Sequence, residues 1–470
     1  MSPSNLAGSL NQNIVAVNTY NSGYNRTNQM VGNVSFDYKF ADWLTFRSFY
    51  GLDYRLVQGE SYRDPRTPDG FNRRGVAQVQ SNWNTNFLTY QTLNFNHTFG
   101  LKHRFDGLVG VEFKRENNEG ISEVAENFPS YQFRTINSAA IPTSTSGFFT
   151  GFRTMGYFTS ANYSYDGRYI INGILRYDYS SRFGENKRWG LFPGVKVAWN
   201  IDREAFMQSA GFISQIRLRA SWGQSGNDQI GNFDALGLYG SGAVYNGAAG
   251  INFTQLANPD LKWEVNETSN LGLDFNLFKG RVNASIEVYR KLTKDALLNL
   301  PVQQTSGFGS YTANIGSLEN KGVEVTIGGD ILRSRAAGGF KWNTNFVFAF
   351  NKNKVLELYN GLQELPGDPS THVGRSIGSI FTQRFAGVNP ATGRPMFLDS
   401  LNNLTYLVQA RDRVYIGDNQ PEYTGGWNNS FSYKGFTLEG FFQYEYGRLA
   451  QDGQINFLIE NLSRFNALHE

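Results

Sequence analysis

Hydrophobic and polar side chains alternate residue by residue along much of this chain, in about fourteen separate segments. The segment Arg168–Ser180 is the clearest. One of its faces has aromatic residues at its ends and aliphatic residues between them: Tyr169, Ile171, Gly173, Leu175, Tyr177 and Tyr179. The opposite face carries Asn172, Arg176, Asp178 and Ser180. Because rings at both interfaces with aliphatic groups between them are typical of a strand that crosses a bilayer, this segment is predicted to be transmembrane.

The same alternation returns in segments that begin near residues 271, 282, 342 and 438. These segments run for about ten residues or more, whereas strands of soluble proteins average about 5–6 residues. A water-soluble β-sandwich or β-propeller is the alternative that this length disfavours. The predicted fold class is therefore all-β, an antiparallel transmembrane β-barrel with about 14 strands in this chain.

The links between the segments alternate between short and long. The short links are Ala41–Trp43, the region around Gly100, Asp166–Gly167, Asp202–Gly211, Lys279–Gly280, Arg333–Gly339 and Lys434–Gly435. The long links are Val57–Asn82, Arg115–Arg153, Gln224–Lys262, Thr293–Ala313 and Lys352–Glu422, with Arg182–Trp189 of intermediate length. Outer-membrane barrels have short periplasmic turns and longer outer loops, so the short links are predicted to be periplasmic. Both ends of the chain then lie on the outer side, and we expect a barrel segment with further strands at each end.

The composition agrees with a barrel sheet that has one water-facing and one lipid-facing side. The chain has 25 Tyr and 38 Phe, yet only 40% of its residues are hydrophobic and its mean hydropathy is −0.42. No apolar run reaches the roughly 18 residues of a transmembrane helix. The absence of Cys excludes disulfides, and a net charge of +3 is too small to indicate nucleic-acid binding. No signal-peptide pattern occurs in residues 1–23.

Several motifs resemble the SusC/RagA family of TonB-dependent outer-membrane receptors. The most specific is SSRFGENKRWGLFPGVKVAWNI at Ser180–Ile201. The others lie in the same order along the chain: Leu218–Phe233, Asn258–Glu264, Asn314–Val325, Phe350–Leu358 and Gly417–Tyr433. The resemblance implies a barrel of about 22 strands in the outer membrane of a Gram-negative bacterium. It also implies an N-terminal plug that contacts the TonB complex and a surface lipoprotein partner of the SusD/RagB type.

This interpretation divides the chain into residues 1–29 as a polar loop, residues 30–448 as the barrel strands with their outer loops, and residues 449–470 as an outer loop. The continuation of the barrel beyond residue 470 is expected to be missing.

Two groups of side chains are candidates for function. The aromatic residues Tyr239, Tyr245, Phe308 and Tyr311 lie in long loops among Gly and Ser, where rings can stack on sugars or peptide side chains. The alternative for them is loop packing or contact with a lid. A mixed-charge lumen lining is predicted at Arg176, Asp178, Arg217, Arg219, Glu287, Glu324, Glu439 and Glu445, which suits either a plug or a water-filled pore.

Basic residues in the first motif offer a further possibility, since Arg182, Lys187 and Arg188 can reach lipid phosphates or a partner. The alternative, which we favour, is that they keep the rim solvated. The segment Gln224–Phe233 is expected to be a turn-rich loop and not a calcium site, because its carboxylates are too few. The four His residues (His97, His103, His372, His469) are scattered, so no catalytic residue, metal site or cofactor is predicted.

The family resemblance implies TonB-dependent import of oligosaccharides or peptides, with a lipoprotein lid that docks on Arg115–Arg153 and Lys352–Glu422. Two other functions stay open. One is a barrel that acts as a scaffold in an outer-membrane assembly or secretion complex, and the other is an unplugged porin.

Overall fold

A computed structural model of the chain describes residues 14–450 except for residues 335 and 337. Its main feature is one antiparallel sheet of 14 strands, each paired with the next along the chain apart from strands inserted in the long links. Numbered in chain order over all described strands, the members are β1 Ser22–Ala41, β2 Leu44–Arg63, β3 Val76–Phe99, β4 His103–Glu126, β5 Ile141–Tyr165, β6 Tyr169–Ser180, β7 Trp189–Asn200, β8 Ile213–Asn227, β11 Glu264–Leu277, β12 Val282–Lys294, β15 Gly316–Arg333, β16 Lys341–Leu358, β24 Tyr423–Tyr433 and β25 Phe436–Tyr446. The predicted strand number and antiparallel barrel-type sheet are confirmed.

The remaining strands form small sheets within three of the long links. They are β9 Leu238–Tyr245 with β10 Ala248–Gln255, β13 Leu297–Pro301 with β14 Ser310–Asn314, β17 Glu364–Leu365 with β18 Asp368–His372, β19 Ser379–Thr382 with β23 Val414–Asp418, and β20 Arg384–Val388 with β21 Pro395–Leu398 and β22 Leu404–Thr405.

Within residues 14–450, helical structure is confined to short pieces wherever the chain is described. These are α1 Ile14–Tyr20, α2 Pro68–Phe71 and the 3₁₀ turns Ile136–Ser138, Ile201–Arg203, Ala205–Met207, Gln304–Ser306, Tyr359–Gly361 and Ala410–Asp412. Across the part of the chain that the structure describes, no helix has the length and apolar character needed to cross a membrane.

The sheet has an apolar and a polar face, as the period-two pattern predicts. Register places Leu273 opposite Leu218 on one side and Ile286 on the other, and Ile286 in turn lies opposite Val325. Directly opposite side chains share one face of a sheet, so these residues build a continuous apolar face. Its larger side chains are exposed, with Leu271 53% and Tyr177 43% exposed. Burial in lipid explains an apolar face that the protein itself leaves uncovered.

Most of the short links are tight turns, and short links alternate with longer ones except at residues 201–212, which are as many as residues 64–75 and contain two 3₁₀ turns. Between β24 and β25 the chain turns through Lys434 and Gly435 alone, both with positive φ (46° and 86°). Positive φ at both central residues defines the type I′ turn, whose twist suits a two-residue hairpin.

Several strands are longer than their hydrophobic pattern predicts. The link expected at Val57–Asn82 shrinks to residues 64–75, because β2 and β3 continue pairing past the apolar segment. The link expected at Arg115–Arg153 likewise shrinks to residues 127–140. Polar residues occupy both faces in these extensions, so the backbone ladder continues where the side-chain pattern gives no signal.

The chain termini differ from the expected division as well. Helix α1 and the first part of β1 lie within residues 1–29, which were expected to be loop throughout. The pairing of β1 with β2 starts at Ser22 opposite Tyr62. The first part of β1 therefore belongs to the sheet because it pairs with the extended end of β2. Most of the expected outer loop 449–470 lies outside the described residues.

Candidate functional site

The predicted lumen-lining residues share the polar face of the sheet. Starting from Arg219 and moving across one strand at a time, the residues paired in register are Gly272, Glu287, Glu324, Ala349, Thr424 and Glu445. Arg176 lies opposite Phe192, and Glu439 lies opposite Ser430, on this same face. One register therefore brings side chains from distant parts of the sequence onto a single surface.

Arg219 forms the densest charge network on the polar face. Its Nε donates to Asp274 at 3.0 Å, and its Nη2 donates to Ser285 at 3.2 Å and also to Glu287. The network joins β8, β11 and β12. Sequence reasoning selected Arg219 and Glu287 but missed Asp274 as their partner, although the alternation already placed Asp274 on the polar side.

Arg176 builds a second network, which joins β4, β5 and β6. Its Nε donates to Asp178 at 2.8 Å and its Nη2 to Glu112 at 3.1 Å, while its guanidinium lies 5.3 Å from the ring centre of Phe158. Arg217 instead donates to Asn200 at 2.7 Å, and Glu445 pairs with Arg448 at 3.0 Å. Glu112 was missed because it is distant in sequence and nothing local marks it.

Two of the family-like motifs meet in an apolar cluster over the polar face. The ring of Phe183, from the first motif, is fully buried 4.8 Å from the ring of Trp263, from Asn258–Glu264. Trp263 also contacts Phe192 of the polar face at 5.3 Å, and its Nε1 donates to the Arg188 carbonyl at 3.0 Å. We call this set the loop core; its buried members are Phe183, Phe192, Ala235, Leu261 and Trp263.

Gly184 shows how closely the two motifs approach. Its N–H donates to the Leu261 carbonyl at 2.9 Å. A Cβ at this position would lie 2.0 Å from the Pro259 carbonyl oxygen. Only glycine permits the backbones to come this near.

A third motif joins the loop core through Arg182. The Arg182 guanidinium lies 3.7 Å from the ring centre of Phe152 and 3.4 Å from the Asp228 carboxylate, and its Nε donates to Asn232 at 2.8 Å. The buried Ser180 hydroxyl donates to Asp228 at 2.9 Å. Arg182 is thus directed inward, so the idea that it contacts surface lipid is wrong; Lys187 is exposed, and Arg188 is half-buried.

The role of Asp228 explains why Gln224–Phe233 is rich in polar residues. Its carboxylate accepts hydrogen bonds from Ser180 and pairs with Arg182, so it locks the loop in place. In residues 14–450, with the gaps noted above, no group of acidic or His side chains is arranged to hold a metal ion.

The four candidate aromatic residues divide into three environments. Tyr239 and Phe308 both contact Phe253, with ring centres 5.1 Å and 5.3 Å apart. Tyr245 is 85% exposed beside the turn between β9 and β10. Tyr311 packs against a separate apolar cluster around Val355 and Leu358.

Among the loop aromatic residues, Phe253 was missed by sequence reasoning. It lies on β10 opposite Tyr239 and carries the contact across to the 302–309 loop. The alternation of Ile251 and Phe253 in a Gly-rich loop was the available signal. We call Tyr239, Phe253 and Phe308 the aromatic cluster.

Comparison with known proteins gives the family. Residues 3–462 match the family model described as TonB dependent receptor-like, beta-barrel. TonB-dependent receptor P39 of Formosa agariphila is 31% identical over 89% of this chain and 45% of its own length. TonB-dependent receptor SusC of Bacteroides thetaiotaomicron is 30% identical over 71% of this chain and 34% of its own length. These relatives are named as receptors and not as enzymes.

Solved structures agree on the fold. The structure of the RagAB peptide transporter superposes with a TM-score of 0.83 at 24% identity, covering 91% of this chain and 48% of that one. The RagAB peptide importer in its closed-closed state gives a TM-score of 0.84 at the same coverage.

The chain spans about half the length of the curated relatives it matches, or less. Proteins of the matching family belong to the outer membrane of Gram-negative bacteria. The resemblance to SusC and RagA that the motifs indicated is confirmed, and the chain belongs to the TonB-dependent receptor-like β-barrel family.

Proposed function

We propose that this protein takes part in TonB-dependent import of oligosaccharides or peptides across the outer membrane, with a SusD/RagB-like lipoprotein as its lid. The observation that carries the proposal is the inward-folded loop layer. Family-like motifs interlock in the loop core above a polar face rich in charge networks.

The polar face supports contact with a plug. Arg219 and Arg176 each pair with carboxylates, but their side chains stay about a third exposed. Paired yet accessible charges can exchange partners with a polar domain inside the barrel. The candidate plug-facing residues are the lumen-lining set, with Asp274 and Glu112 added.

The aromatic cluster supports a ligand role. Tyr239 remains 71% exposed although it contacts Phe253, so its ring can still stack on a sugar or a peptide side chain. Tyr245, near the tip of the same hairpin, is placed for a peripheral contact.

A surface for the lid lies in the longest link. The small sheet β20–β22 and its neighbours expose large apolar side chains: Phe385, Val388, Leu401, Leu404 and Leu407. An exposed apolar patch of this kind marks a binding surface more often than a free surface. This patch falls inside the Lys352–Glu422 link where lid docking is expected.

The ligand role is tested with the full-length receptor and its lipoprotein. Tyr239→Ala combined with Phe308→Ala is expected to weaken binding of the imported oligosaccharide or peptide about tenfold, since each ring contributes about 0.5–1.5 kcal/mol. The matched control is Phe71→Ala, another exposed loop aromatic. Equal binding by the double variant and the control would remove the aromatic cluster from the ligand site.

The lid is tested by co-purification. Phe385→Glu with Leu404→Glu should abolish recovery of a single surface lipoprotein, while Leu101→Glu, fully exposed in the short turn between β3 and β4, should not. Recovery of assembly or secretion subunits in place of a lipoprotein would favour the scaffold function instead.

A further inference from the structure

Four basic side chains stand where the apolar face of the sheet ends on its loop side. Register places Arg290 of β12 opposite Lys321 of β15, and Lys321 opposite Lys352 of β16. Lys354 follows on the same face of β16, opposite Glu319. We call Arg290, Lys321, Lys352 and Lys354 the basic row.

The row begins one step beyond the apolar face. Two residues closer to the short turns, the same three strands carry Val288, Val323 and Phe350, which are also paired in register. Side chains two residues apart lie on one face of a strand. The basic side chains therefore point outward, in the direction of the lipid-facing residues, and not into the lumen.

Strand length puts the row at the membrane boundary. A tilted barrel strand needs about 9–11 residues to cross the hydrocarbon. Counted from Val282, where β12 begins after its short turn, Arg290 falls at about the ninth residue. Trp222, opposite Ser269 and hence level with Arg290, supports this depth, because Trp concentrates at the headgroup region.

The charges of the row are only partly compensated. Glu319, almost buried, pairs with Arg290 at 2.7 Å and with Lys321 at 3.7 Å. Among the described residues, Lys352 and Lys354 form no ion pair, and both are exposed. Like charges directly opposite each other in a sheet are unfavourable, so three adjacent cations indicate an anion that is supplied from outside the chain.

We propose that the basic row binds the phosphate of an anionic lipid headgroup in the outer leaflet, a phosphorylated glycolipid. The proposal shares one assumption with the proposed function, namely that the long loops lie on the outer side of the membrane. It does not depend on import. Glu319 forms ion pairs with both Arg290 and Lys321. Lys352 and Lys354 supply the net positive charge. Lys and Arg at a membrane surface are the usual ligands of phosphate headgroups.

On other strands, the lipid-facing positions at the loop-side end of the apolar face carry different side chains. On β6 and β7 the apolar face ends in Tyr177, Tyr179 and Trp189; the rings of Tyr177 and Trp189 stack, and Tyr179 meets Trp189 edge-on. The phosphate site is therefore local to β12, β15 and β16 and is not a general property of the barrel's outer edge.

The test uses the full-length receptor in detergent and native mass spectrometry with purified diphosphorylated lipid A. Lys321→Gln, Lys352→Gln and Lys354→Gln are combined, and the control is Lys291→Gln, an exposed lysine next to Arg290 on β12 whose side chain lies on the opposite face of the sheet. The wild-type receptor should retain lipid A, and the triple variant should bind it about 100-fold more weakly, at roughly a factor of five for each Lys. The control should bind like the wild type.

Two further arms identify the source of the phosphate. Dephosphorylated lipid A should bind the wild-type and triple-variant proteins equally weakly, and millimolar inorganic phosphate should not displace lipid A. Equal lipid A binding by the triple variant and the wild type would overturn the proposal, as would displacement by inorganic phosphate. Ligand import by the triple variant, measured separately, reports on the proposed function and not on this site.

Discussion

Strands β2–β5 differ from strands β6 and β7 in length and in the structure that the chain forms beyond the membrane. Strands β2–β5 are 20–25 residues long, about 65–80 Å at 3.3 Å per residue, which is far more than a bilayer needs. Strands β6 and β7 have 12 residues each and little more than cross it. On the side of the long links, strands β2–β5 continue beyond the membrane as a paired sheet. Beyond β6 and β7, the chain folds inward into the loop core.

The difference shows two physical routes to structure outside the membrane. In β2–β5 the backbone hydrogen-bond ladder supplies the order, and the only apolar cluster there is small, built on Tyr62, Ala77 and Phe128. Above β6 and β7, order comes from packed side chains in the loop core. A ladder distributes its stability over many bonds, while a packed core depends on single large residues.

The largest expected effect separates these two routes directly. Phe183→Ala should destabilise the loop core by about 3–5 kcal/mol, because it empties a fully buried ring position. Phe148→Ala, on the long strand β5 with its side chain half exposed, should cost well under 1 kcal/mol. Hydrogen exchange of residues 181–192 and 224–263 measures the first effect, and that of residues 141–153 measures the second; similar loss of protection in the two variants would refute the distinction.

Gly184→Ala should have the next largest effect. The new methyl group meets the Pro259 carbonyl, so the two motifs must separate at a cost of about 1–3 kcal/mol. Gly173→Ala is the matched control, since a Cβ there meets nothing within 4 Å. The thermal unfolding midpoint in detergent should fall for the first variant and stay unchanged for the second.

The smallest effect concerns the loop above the long strands. Asp64 is buried and accepts hydrogen bonds from the Arg66 side chain at 2.8 Å and 2.9 Å. Burial raises the pKa of Asp64, but the Arg66 side-chain and backbone donors outweigh it and leave the pKa below its ordinary value. Asp64→Asn should therefore loosen residues 64–75 at neutral pH, by about 1–2 kcal/mol.

The pH dependence of that effect has a defined sign. Because the folded pKa is lowered, the stabilisation by Asp64 is complete above the unfolded value of about 3.9 and disappears as pH falls through the folded value. Cleavage of residues 64–75 by an acid-active protease should then converge for wild type and Asp64→Asn at the lowest pH. A difference that persists or grows on acidification would contradict the assignment.

The outer halves of β2–β5 also mark the limit of sequence-based prediction. Their transmembrane parts were found because apolar residues alternate, yet their extensions carry polar residues on both faces and were expected to be loops. The aromatic residues Tyr239 and Phe308 were recognised from loop composition. The alternation of Ile251 and Phe253 was visible in the sequence as well, but the hairpin register that places Phe253 opposite Tyr239 was not.

The sequence by itself determined the number of strands in the main sheet, the face of each side chain in their transmembrane parts, and most of the alternation of short and long links. These follow from a period of two, which is a local property of extended backbone between lipid and water. Only the tertiary structure decided that Arg182 turns inward to Asp228 and that Arg290, Lys321 and Lys352 stand side by side. Such neighbours are set by strand register and loop packing, which bring together residues that no spacing along the chain connects.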